Sequence, residues 1–413
     1  MNRIVLVTIT ALLPFLVKAQ LNTTDSFENY AHKQDSLFTQ LYEKRDAKNF
    51  TAQLDEWIVQ YNKQPESTRK NYQYRLAITY YNLSCTYALL NDKKPALDNL
   101  EKAVKNGYTN YSHMQVDADL DVIRNSERYT AIVKPLRAIG DYMYILRKGA
   151  AYNAKDMRKV PVFTYEPATH PELVALRKDY KLDSIAGNGN DISKVLNLLH
   201  WVHELIPHDG NHENPVVKNA ASMITICRKD SRGLNCRGLS TVLNECYLSM
   251  GFASRIVTCL PKDSLGTDPD CHVINMVYVP SIKKWIWADP TNDAYVMNEK
   301  GELLGIDEVR EKIIKGQPLI LNPTANWNHR STTGKEEYLY QYMAKNLYKL
   351  QCPVNSTWDM ETRAAGKTIE YITLLPLDYF NQQPDRSETT GKESKTTLVF
   401  FNTNNPNNFW TKP

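Results

Sequence analysis

Cys236 lies where the sequence predicts the start of a helix. It sits in the segment GLNCRGLS (233–240), and the apolar residues that follow recur at helical spacing as far as Gly251, which suits a helix C-cap. A thiol in the first helical turn faces unpaired backbone N–H groups and the positive end of the helix dipole, which favour the thiolate. The same N–H groups can hold an oxyanion. The alternative interpretation is that Cys236 is a small buried hydrophobe, as most cysteines are.

A histidine and an aspartate lie on two β-rich runs that a short turn separates. His272 begins the run 272–279, and Asp289 lies near the end of the run 284–290. This pattern predicts an antiparallel hairpin, in which side chains alternate between the two faces. His272 and Asp289 then share a face for any even loop length, opposite each other across a two-residue turn and diagonal across a four-residue loop. A carboxylate beside an imidazole fixes its orientation, and the imidazole can then take a proton from a thiol.

The three residues lie in the segments GLNCRGLS, CHVINMVYVP and WIWADPTND, in the order Cys, His, Asp. Together these segments resemble the transglutaminase-like superfamily of papain-fold enzymes. The resemblance covers about residues 160–320 and implies that Cys236 is the nucleophile, His272 the base and Asp289 the group that orients the imidazole. In that family the region ahead of the nucleophile lines the cleft, which makes His208 and Asn235 candidates for binding an oxyanion.

The composition is that of an ordinary globular protein with a leader segment. Apolar residues make up 42% and charged residues 23% of the 413 residues, and the formal net charge is +4. This balance gives no case for a nucleic-acid or anionic-membrane partner. Residues 1–19 combine an early arginine with a short apolar run and compact residues at the cleavage position, which predicts a signal peptide cut before Gln20. We therefore expect an exported protein, periplasmic or extracellular, with no membrane insertion.

The cysteine count agrees with a free thiol. Seven cysteines, an odd number, leave at least one unpaired in an exported protein, and a nucleophile at Cys236 would account for it. Cys259 and Cys271 flank one predicted loop and could form a disulfide. Cysteines without a framework spacing are, however, usually reduced.

The first third of the chain is rich in helix patterns and nearly free of strand patterns. Its clearest part is a helix over 72–90 and a second helix over 95–106 that ends at Gly107. The segment YNLSCTYALLNDKKPALDNLEKAVKNGY resembles a tetratricopeptide repeat. Helices over 36–62 and 127–147 are expected to stack on it, because one repeat cannot bury its apolar face alone. Such a domain would either offer a concave surface to a protein partner or brace the following domain.

Four histidines lie close together at positions 200, 203, 208 and 212, on and after a predicted helix that begins at Asp191. Histidine is a frequent metal ligand, so an exported metal-binding protein is a third and weaker functional alternative. No cysteine or carboxylate cluster completes a recognisable ligand set. The sequence therefore predicts no metal and no cofactor.

The C-terminal part of the chain carries further elements. A helix is predicted over 335–350, and strands over 368–375 and 396–401. We expect this pair of strands to extend the catalytic sheet. The tail is apolar, with Phe409 and Trp410, and we expect it to pack near the cleft; the alternative is that it only covers a sheet edge.

The sequence thus predicts an α+β protein in four parts. These are a signal peptide (1–19), an all-α tetratricopeptide-like domain (20–150), a transglutaminase-like core of helices on an antiparallel sheet (151–320) and a C-terminal extension of that core (321–413). The predicted function is chemistry on amide bonds of a peptide or protein substrate through a cysteine thioester, with hydrolysis favoured over acyl transfer because nothing marks a channel for an amine. The alternative is a peptide- or glycan-binding module with an inactive triad, although a vestigial site has no reason to keep all three members.

Overall fold

The structure is a computed structural model that describes residues 27–262 and 270–413. The predicted signal peptide at 1–19 lies outside the described residues, as does most of the polar loop ahead of His272. No helix in the described residues is long and apolar enough to cross a membrane. Helices and strands occur together, and the predicted α+β fold class is confirmed.

The chain divides into two compact units, Met1–Arg137 and Ala138–Pro413. The division falls ahead of the predicted domain boundary at 150. The physical reason is the helix Tyr142–Lys148, which packs on the second unit: its Leu146 is fully buried in the same hydrophobic core as the central sheet. The helix predicted over 127–147 is therefore divided: Glu127–Val133 lies in the first unit, and Tyr142–Lys148 lies in the unit that carries the candidate site.

The helices range in length from 3 to 24 residues. In chain order they are α1 Phe27–Glu43, α2 Ala47–Asn62, α3 Glu66–Leu89, α4 Lys93–Lys105, α5 Tyr111–Val116, α6 Asp121–Arg124, α7 Glu127–Val133, α8 Arg137–Gly140, α9 Tyr142–Lys148, α10 Pro171–Asp179, α11 Leu182–Ala186, α12 Asp191–Leu205, α13 Ala220–Asp230, α14 Cys236–Ser249, α15 Ile306–Lys315, α16 Lys335–Glu337, α17 Ala344–Asn346 and α18 Pro406–Phe409. The segment Tyr338–Met343, between α16 and α17, is π-helical.

Most strands belong to one sheet. In chain order they are β1 Thr164–Tyr165, β2 Ser254–Leu260, β3 His272–Val279, β4 Lys284–Ala288, β5 Val296–Met297, β6 Ile320–Leu321, β7 Asn326–Trp327, β8 Ser331–Thr332, β9 Lys349–Pro353, β10 Asn355–Ser356, β11 Thr368–Leu374, β12 Arg386–Thr390 and β13 Thr397–Thr403. The large sheet has the order β12-β13-β11-β9-β2-β3-β4. Its neighbours are antiparallel except for β11 and β13, which are parallel.

The first unit is helical, as the sequence predicts. The predicted pair of helices is present as α3 and α4, and they approach closely enough for the hydroxyl of Ser84 to donate to the carbonyl of Ala96 at 2.7 Å. Gly107, just past α4, has the positive φ of 100° that glycine tolerates best. A core of large aromatic side chains, with Phe50 and Trp57 at its centre, joins α1, α2 and α3. The resemblance of this unit to a tetratricopeptide repeat stays a prediction.

Helix α14 is the central helix of the second unit. It contacts α10, α12 and α13 on its sides and lies across β2 and β3. The predicted apolar positions, Leu239, Val242, Leu243 and Cys246, are fully buried, and Gly251 follows the helix with a φ of 82°. This burial on all sides fixes the start of α14, and hence Cys236, against the sheet.

The C-terminal region adds four strands to the sheet rather than the predicted two. β11 and β13 are the predicted strands, while β9 and β12 were missed. The prediction of one helix over 335–350 is also wrong: the helical part ends at Asn346, and Lys349–Pro353 is a strand. The periodic tyrosines and leucines run through this helix-to-strand change, and β12 is an exposed polar edge strand without an apolar alternation.

The tail does not pack near the cleft as expected. The guanidinium of Arg255 donates to the carbonyls of Phe409 and Thr411, each at 2.7 Å, and the indole of Trp285 donates to Thr411 at 3.1 Å. Trp285 lies towards the turn of the β3–β4 hairpin, away from Asp289. A buried arginine that needs backbone carbonyls draws the tail to this position.

Candidate active site

Cys236 is the first residue of α14, and two asparagines fix the start of this helix. Asn235 is the N-cap: its side-chain oxygen accepts the N–H of Gly238 at 3.2 Å. Asn214 donates its amide to the same oxygen at 2.7 Å and accepts the backbone N–H of Asn235 at 3.0 Å. Asn235, a predicted oxyanion candidate, therefore uses its side-chain oxygen to cap the helix, and only its side-chain NH2 group is a donor of the kind that an oxyanion needs.

The backbone N–H of Cys236 is the nearest main-chain donor to its own sulfur. The first N–H groups of a helix have no intrahelical partner, and the cap formed by Asn235 satisfies that of Gly238. Among the described residues, none accepts a hydrogen bond from the N–H of Cys236. This group can therefore receive negative charge that develops on a carbonyl oxygen beside the sulfur.

The β3–β4 hairpin brings His272 and Asp289 together. Val279 pairs with Lys284, so the hairpin loop consists of residues 280–283 and has the even length that places both side chains on one face. The two residues are diagonal neighbours, and Nε2 of His272 lies 2.8 Å from Oδ2 of Asp289. The contact predicted for a four-residue loop is confirmed.

Asp289 is fully buried, and its carboxylate accepts several hydrogen bonds. Oδ2 accepts from the hydroxyl of Tyr338 at 2.6 Å and from the side-chain amide of Asn292 at 3.0 Å. Oδ1 accepts the backbone N–H of Thr291 at 2.9 Å. Burial alone would raise the pKa of Asp289, but the charge of His272 and these hydrogen bonds outweigh it and hold the pKa below its ordinary value. The carboxylate stays ionised and orients the imidazole through Nε2.

Nδ1 is the ring nitrogen that His272 has left for Cys236, and Cys236, His272 and His208 line the same cavity. Burial alone would raise the pKa of Cys236, but the two imidazole hydrogen bonds outweigh burial and lower it to about 6. Burial would lower the pKa of His272, but the charge and hydrogen bond of Asp289, with the contact to Cys236, raise it to about 10. At a pH between these two pKa values, a thiolate at Cys236 and an imidazolium at His272 exist side by side.

Local β pairing places His208 beside Cys236. His208 forms a parallel bridge with Leu234, and Leu234 donates its N–H to the carbonyl of Pro207 at 3.1 Å. Gly233 permits this close approach, since a Cβ there would lie 2.4 Å from the carbonyl oxygen of Pro207. The sequence motif around the cysteine thus carries a glycine that sets the position of a histidine from a distant segment.

A small β-hairpin connects the two sides of the site; we call residues 326–333, which include β7 and β8, the bridging hairpin. On one side the indole N–H of Trp327 donates to Nδ1 of His208 at 3.2 Å. On the other side the hydroxyl of Thr333 donates to the side-chain oxygen of Asn292 at 3.0 Å, and Asn292 in turn donates to Asp289. The bridging hairpin therefore links the surroundings of His208 to those of the candidate triad.

The sulfur of Cys236 faces a cavity of about 610 Å³. This volume lies within the range of clefts that hold a small ligand or a peptide segment. The walls include the rings of Trp327, Tyr338 and Tyr342, and Tyr342 packs edge-on against His272 with ring centroids 5.3 Å apart. Side chains of both charge signs also line it: Glu213, Lys218, Arg237, Asp270 and Glu337.

The clustered histidines separate in space. His208 lines the cavity, whereas His212 pairs with Asp209 at 2.6 Å. His200 pairs with Asp293 at 2.9 Å. Asp293, which lies close to Asp289 in the chain, is therefore bound to a histidine outside the candidate triad. The four neighbouring histidines of the sequence therefore do not form one ligand set.

One group of possible metal ligands includes His203, Glu204 and His329, whose donor atoms lie within 4.8 Å of one another. The contacts of His203 favour a structural role. Its Nδ1 lies 3.1 Å from the carbonyl of Pro290 and its Nε2 lies 3.0 Å from the side-chain oxygen of Asn326. Both ring nitrogens of His203 are thus engaged with protein groups.

All seven cysteines in the described residues are free thiols, so the considered Cys259–Cys271 disulfide is not formed. Cys259 is fully buried on β2, and Cys271 lines the cavity. Burial and the neighbouring Cys236 raise the pKa of the Cys271 thiol. The thiol of Cys236 is the one whose pKa is lowered among the described cysteines.

Comparison with known proteins agrees with the region that the motifs indicate. Residues 178–290 match the family model of the transglutaminase-like superfamily. The chain is similar to a chloroplastic protein from Arabidopsis thaliana, with 33% identity over 58 residues, which are 14% of this chain and 17% of that protein. It is also similar to the structure of a proposed cysteine protease from Cytophaga hutchinsonii, with 18% identity and a TM-score of 0.23 over 38% of this chain and 51% of that chain. The chain thus spans less than two thirds of either protein.

Sequence patterns missed several residues of the site. Tyr338 and Asn292 donate to Asp289, and Trp327 donates to His208. Asn292 lies within the WIWADPTND segment, and its closeness in sequence to Asp289 is a signal from which this contact could have been predicted. Tyr338 lies in the π-helical segment, a feature that is frequent at functional sites but not visible as a periodic pattern.

Proposed function

We propose that this protein is a cysteine enzyme that cleaves amide bonds of peptides or proteins through a thioester at Cys236. The observation that carries the proposal is the hydrogen bond between His272 and the buried Asp289, with the other imidazole nitrogen left for the sulfur of Cys236. An oriented imidazole next to a low-pKa thiol is the arrangement that activates a cysteine nucleophile.

The proposed reaction follows from these positions. The thiolate of Cys236 attacks the amide carbonyl, and the carbonyl electron pair moves onto oxygen, where the N–H of Cys236 and the ring of His208 can donate hydrogen bonds. The imidazolium of His272 gives its proton to the departing amine as the carbon–nitrogen bond breaks, which leaves a thioester. His272 then takes a proton from water, whose oxygen attacks the thioester and releases a carboxylate and the free thiol.

Hydrolysis is favoured over transfer to an amine. The tryptophans on β4 that could wall an amine channel, Trp285 and Trp287, are buried in the core and do not line the cavity. The exposed charged residues around the cavity, such as Glu213 and Glu337, are well hydrated groups that bring water to the thioester. Transfer would require a site that holds an amine next to the thioester at an effective concentration high enough to compete with this water.

The rival proposal is a binding module in which the triad is inactive. The bridging hairpin and the aromatic walls suit a peptide held beside Cys236 without reaction.

We propose further that the mature protein is exported, as residues 1–19 suggest, and that the helical unit presents a surface to a protein partner. These features concern where the enzyme meets its substrate and leave the chemistry at Cys236 unchanged.

The test is a peptide-library digest by the mature protein, with a fluorescent primary amine supplied at millimolar concentration. We expect peptide cleavage with release of a carboxylate, and no cleavage by Cys236→Ala. Amine incorporation that outpaces carboxylate release would replace hydrolysis by transfer. Peptide binding without turnover of either kind, equal in the native protein and in Cys236→Ala, would support the binding module.

A further inference from the structure

The contact between Trp327 and His208 determines which nitrogen of that histidine carries the proton. The indole N–H of Trp327 lies 3.2 Å from Nδ1 of His208, and an indole nitrogen can only donate a hydrogen bond. Nδ1 must therefore accept, which it can do only without a proton of its own. In a neutral imidazole the proton then resides on Nε2.

Nε2 is also the nitrogen that His208 has left for Cys236. His208 and Cys236 line the same cavity, and Nδ1 of His208 is already occupied by the indole. The main chain of His208 is held as well: its N–H donates to the side-chain oxygen of Asn328 at 2.6 Å, and the amide of Asn328 donates back to its carbonyl at 2.8 Å. Two consecutive residues of the bridging hairpin thus fix the ring and the backbone of one histidine.

We propose that Trp327 is a positioning residue that holds His208 in its Nε2–H tautomer, so that His208 donates a hydrogen bond to the thiolate of Cys236 and to the oxyanion that forms beside it. This inference rests on the proposed function for the oxyanion and on the geometry alone for the tautomer.

The tautomer matters because Cys236 has two histidine neighbours with different tasks. His272 is oriented by Asp289 and exchanges a proton during the reaction, whereas His208 has no carboxylate on its far nitrogen but an indole donor. If the proton of His208 moved to Nδ1, a lone pair on Nε2 would face the thiolate and the oxyanion and repel both. Loss of a whole oxyanion donor costs about 10²–10³-fold in kcat, so partial loss of this tautomer is expected to cost about 10-fold.

The position of Trp327 agrees with this role. It is a large aromatic side chain with 37% of its surface exposed, yet its polar atom is directed to a histidine inside the cavity. A tryptophan that served only to cover apolar surface would not need this contact. The hairpin is anchored by Asn326, whose oxygen contacts the buried His203, and this contact does not involve the indole.

The experiment replaces Trp327 by Phe, which keeps a ring on the hairpin but removes the N–H donor. ¹⁵N-histidine NMR of the mature protein, with the His208 signals assigned from the loss of signal in His208→Gln, reports the tautomer directly. We expect the Nε2–H form in the native protein and a mixture of tautomers in Trp327→Phe. We also expect kcat to fall about 10-fold in Trp327→Phe with little change in KM, and Trp201→Phe, which alters a tryptophan outside the cavity, to have no effect.

A double variant separates tautomer control from packing. Glutamine has no tautomers, so Trp327→Phe should cause no further loss of kcat when His208 is already Gln. A further 10-fold loss in the His208→Gln background, or a native His208 with its proton on Nδ1, would overturn the inference.

A measurement without substrate keeps this test separate from the proposed function. Loss of the His208 hydrogen bond should shift the alkylation of Cys236 by iodoacetamide to higher pH in Trp327→Phe. If the native protein lacks turnover but the tautomer and the alkylation profile respond in this way, the proposed function fails and the role of Trp327 stands. If neither responds, Trp327 does not position His208.

Discussion

The two units of the molecule each contain a cysteine among ionisable groups, and their thiols are shifted in opposite directions. In the first unit, Cys85 is buried and its sulfur lies 3.7 Å from a carboxylate oxygen of Asp117 that also accepts from the hydroxyl of Tyr81 at 2.5 Å. Burial, followed by the charges of Asp117 and Asp119, raises the pKa of Cys85 well above its ordinary value. This cysteine is an inert thiol that donates to a carboxylate.

In the second unit, Cys236 also experiences burial, but its neighbours are two imidazoles, which lower its pKa to about 6. The difference lies in the sign of the surrounding charge and in access to a cavity, not in the cysteine itself. Both environments combine a cysteine with ionisable residues, so a residue count within either cluster would not separate them. The two environments are separated by whether the neighbouring groups are carboxylates, which accept hydrogen bonds, or imidazoles, which can donate them.

The largest effect expected from this comparison is on turnover. Cys236→Ala should reduce kcat by roughly 10⁶-fold, as removal of a nucleophile does in a serine protease. Cys85→Ala should leave kcat and KM at native values, because that thiol has a raised pKa and is not among the residues that line the cavity. Steady-state kinetics on the best library peptide, with melting temperatures to verify folding, provide the measurement. A loss of turnover in folded Cys85→Ala would mean that the helical unit contributes to the chemistry.

The next effect concerns the group that orients the imidazole. Asp289→Asn should lower kcat about 10⁴-fold while the fold persists, because an amide offers His272 a donor where it needs an acceptor. The matched control is Asp293→Asn, which removes a carboxylate of the same loop that pairs with His200. If Asp293→Asn were the damaging variant and Asp289→Asn harmless, the orienting residue would be Asp293 and the assignment of Asp289 would be wrong.

The sequence was sufficient for those parts of the site that depend on local periodicity. A glycine-bounded helix predicted the position of Cys236, and the alternation of a hairpin predicted that His272 and Asp289 share a face. Tyr338 and Trp327 were beyond reach, because their contacts join segments far apart in the chain and follow from packing rather than from a repeat. The same applies to β9, where a helical periodicity of tyrosine and leucine continues into a strand that long-range pairing with β2 and β11 stabilises.

A smaller effect is expected on cysteine reactivity. At neutral pH Cys236 should react with iodoacetamide at least about 10-fold faster than Cys271 or Cys85, since it carries more thiolate even after allowance for the weaker nucleophilicity of a low-pKa thiol. Mass spectrometry of the labelled protein locates the modified residues. His272→Ala should slow labelling of Cys236 while Cys271 keeps its rate. Equal rates at all three cysteines would remove the distinction between the two environments.

The last prediction concerns the different pH values at which Cys236 and His272, the two members of the ion pair, change their protonation. Cys236 takes up a proton as the pH falls through about 6, so both alkylation and kcat/KM should decrease about tenfold per pH unit below that value. His272 loses its proton as the pH rises through about 10, after which it cannot protonate the departing amine, so kcat/KM should fall again while alkylation, which needs only the thiolate, stays high. The two values belong to the coupled pair rather than to either residue alone. In His272→Ala the alkylation midpoint should move up towards that of an ordinary thiol. If alkylation and turnover instead fell together at high pH, proton donation by His272 would not be what limits the reaction there.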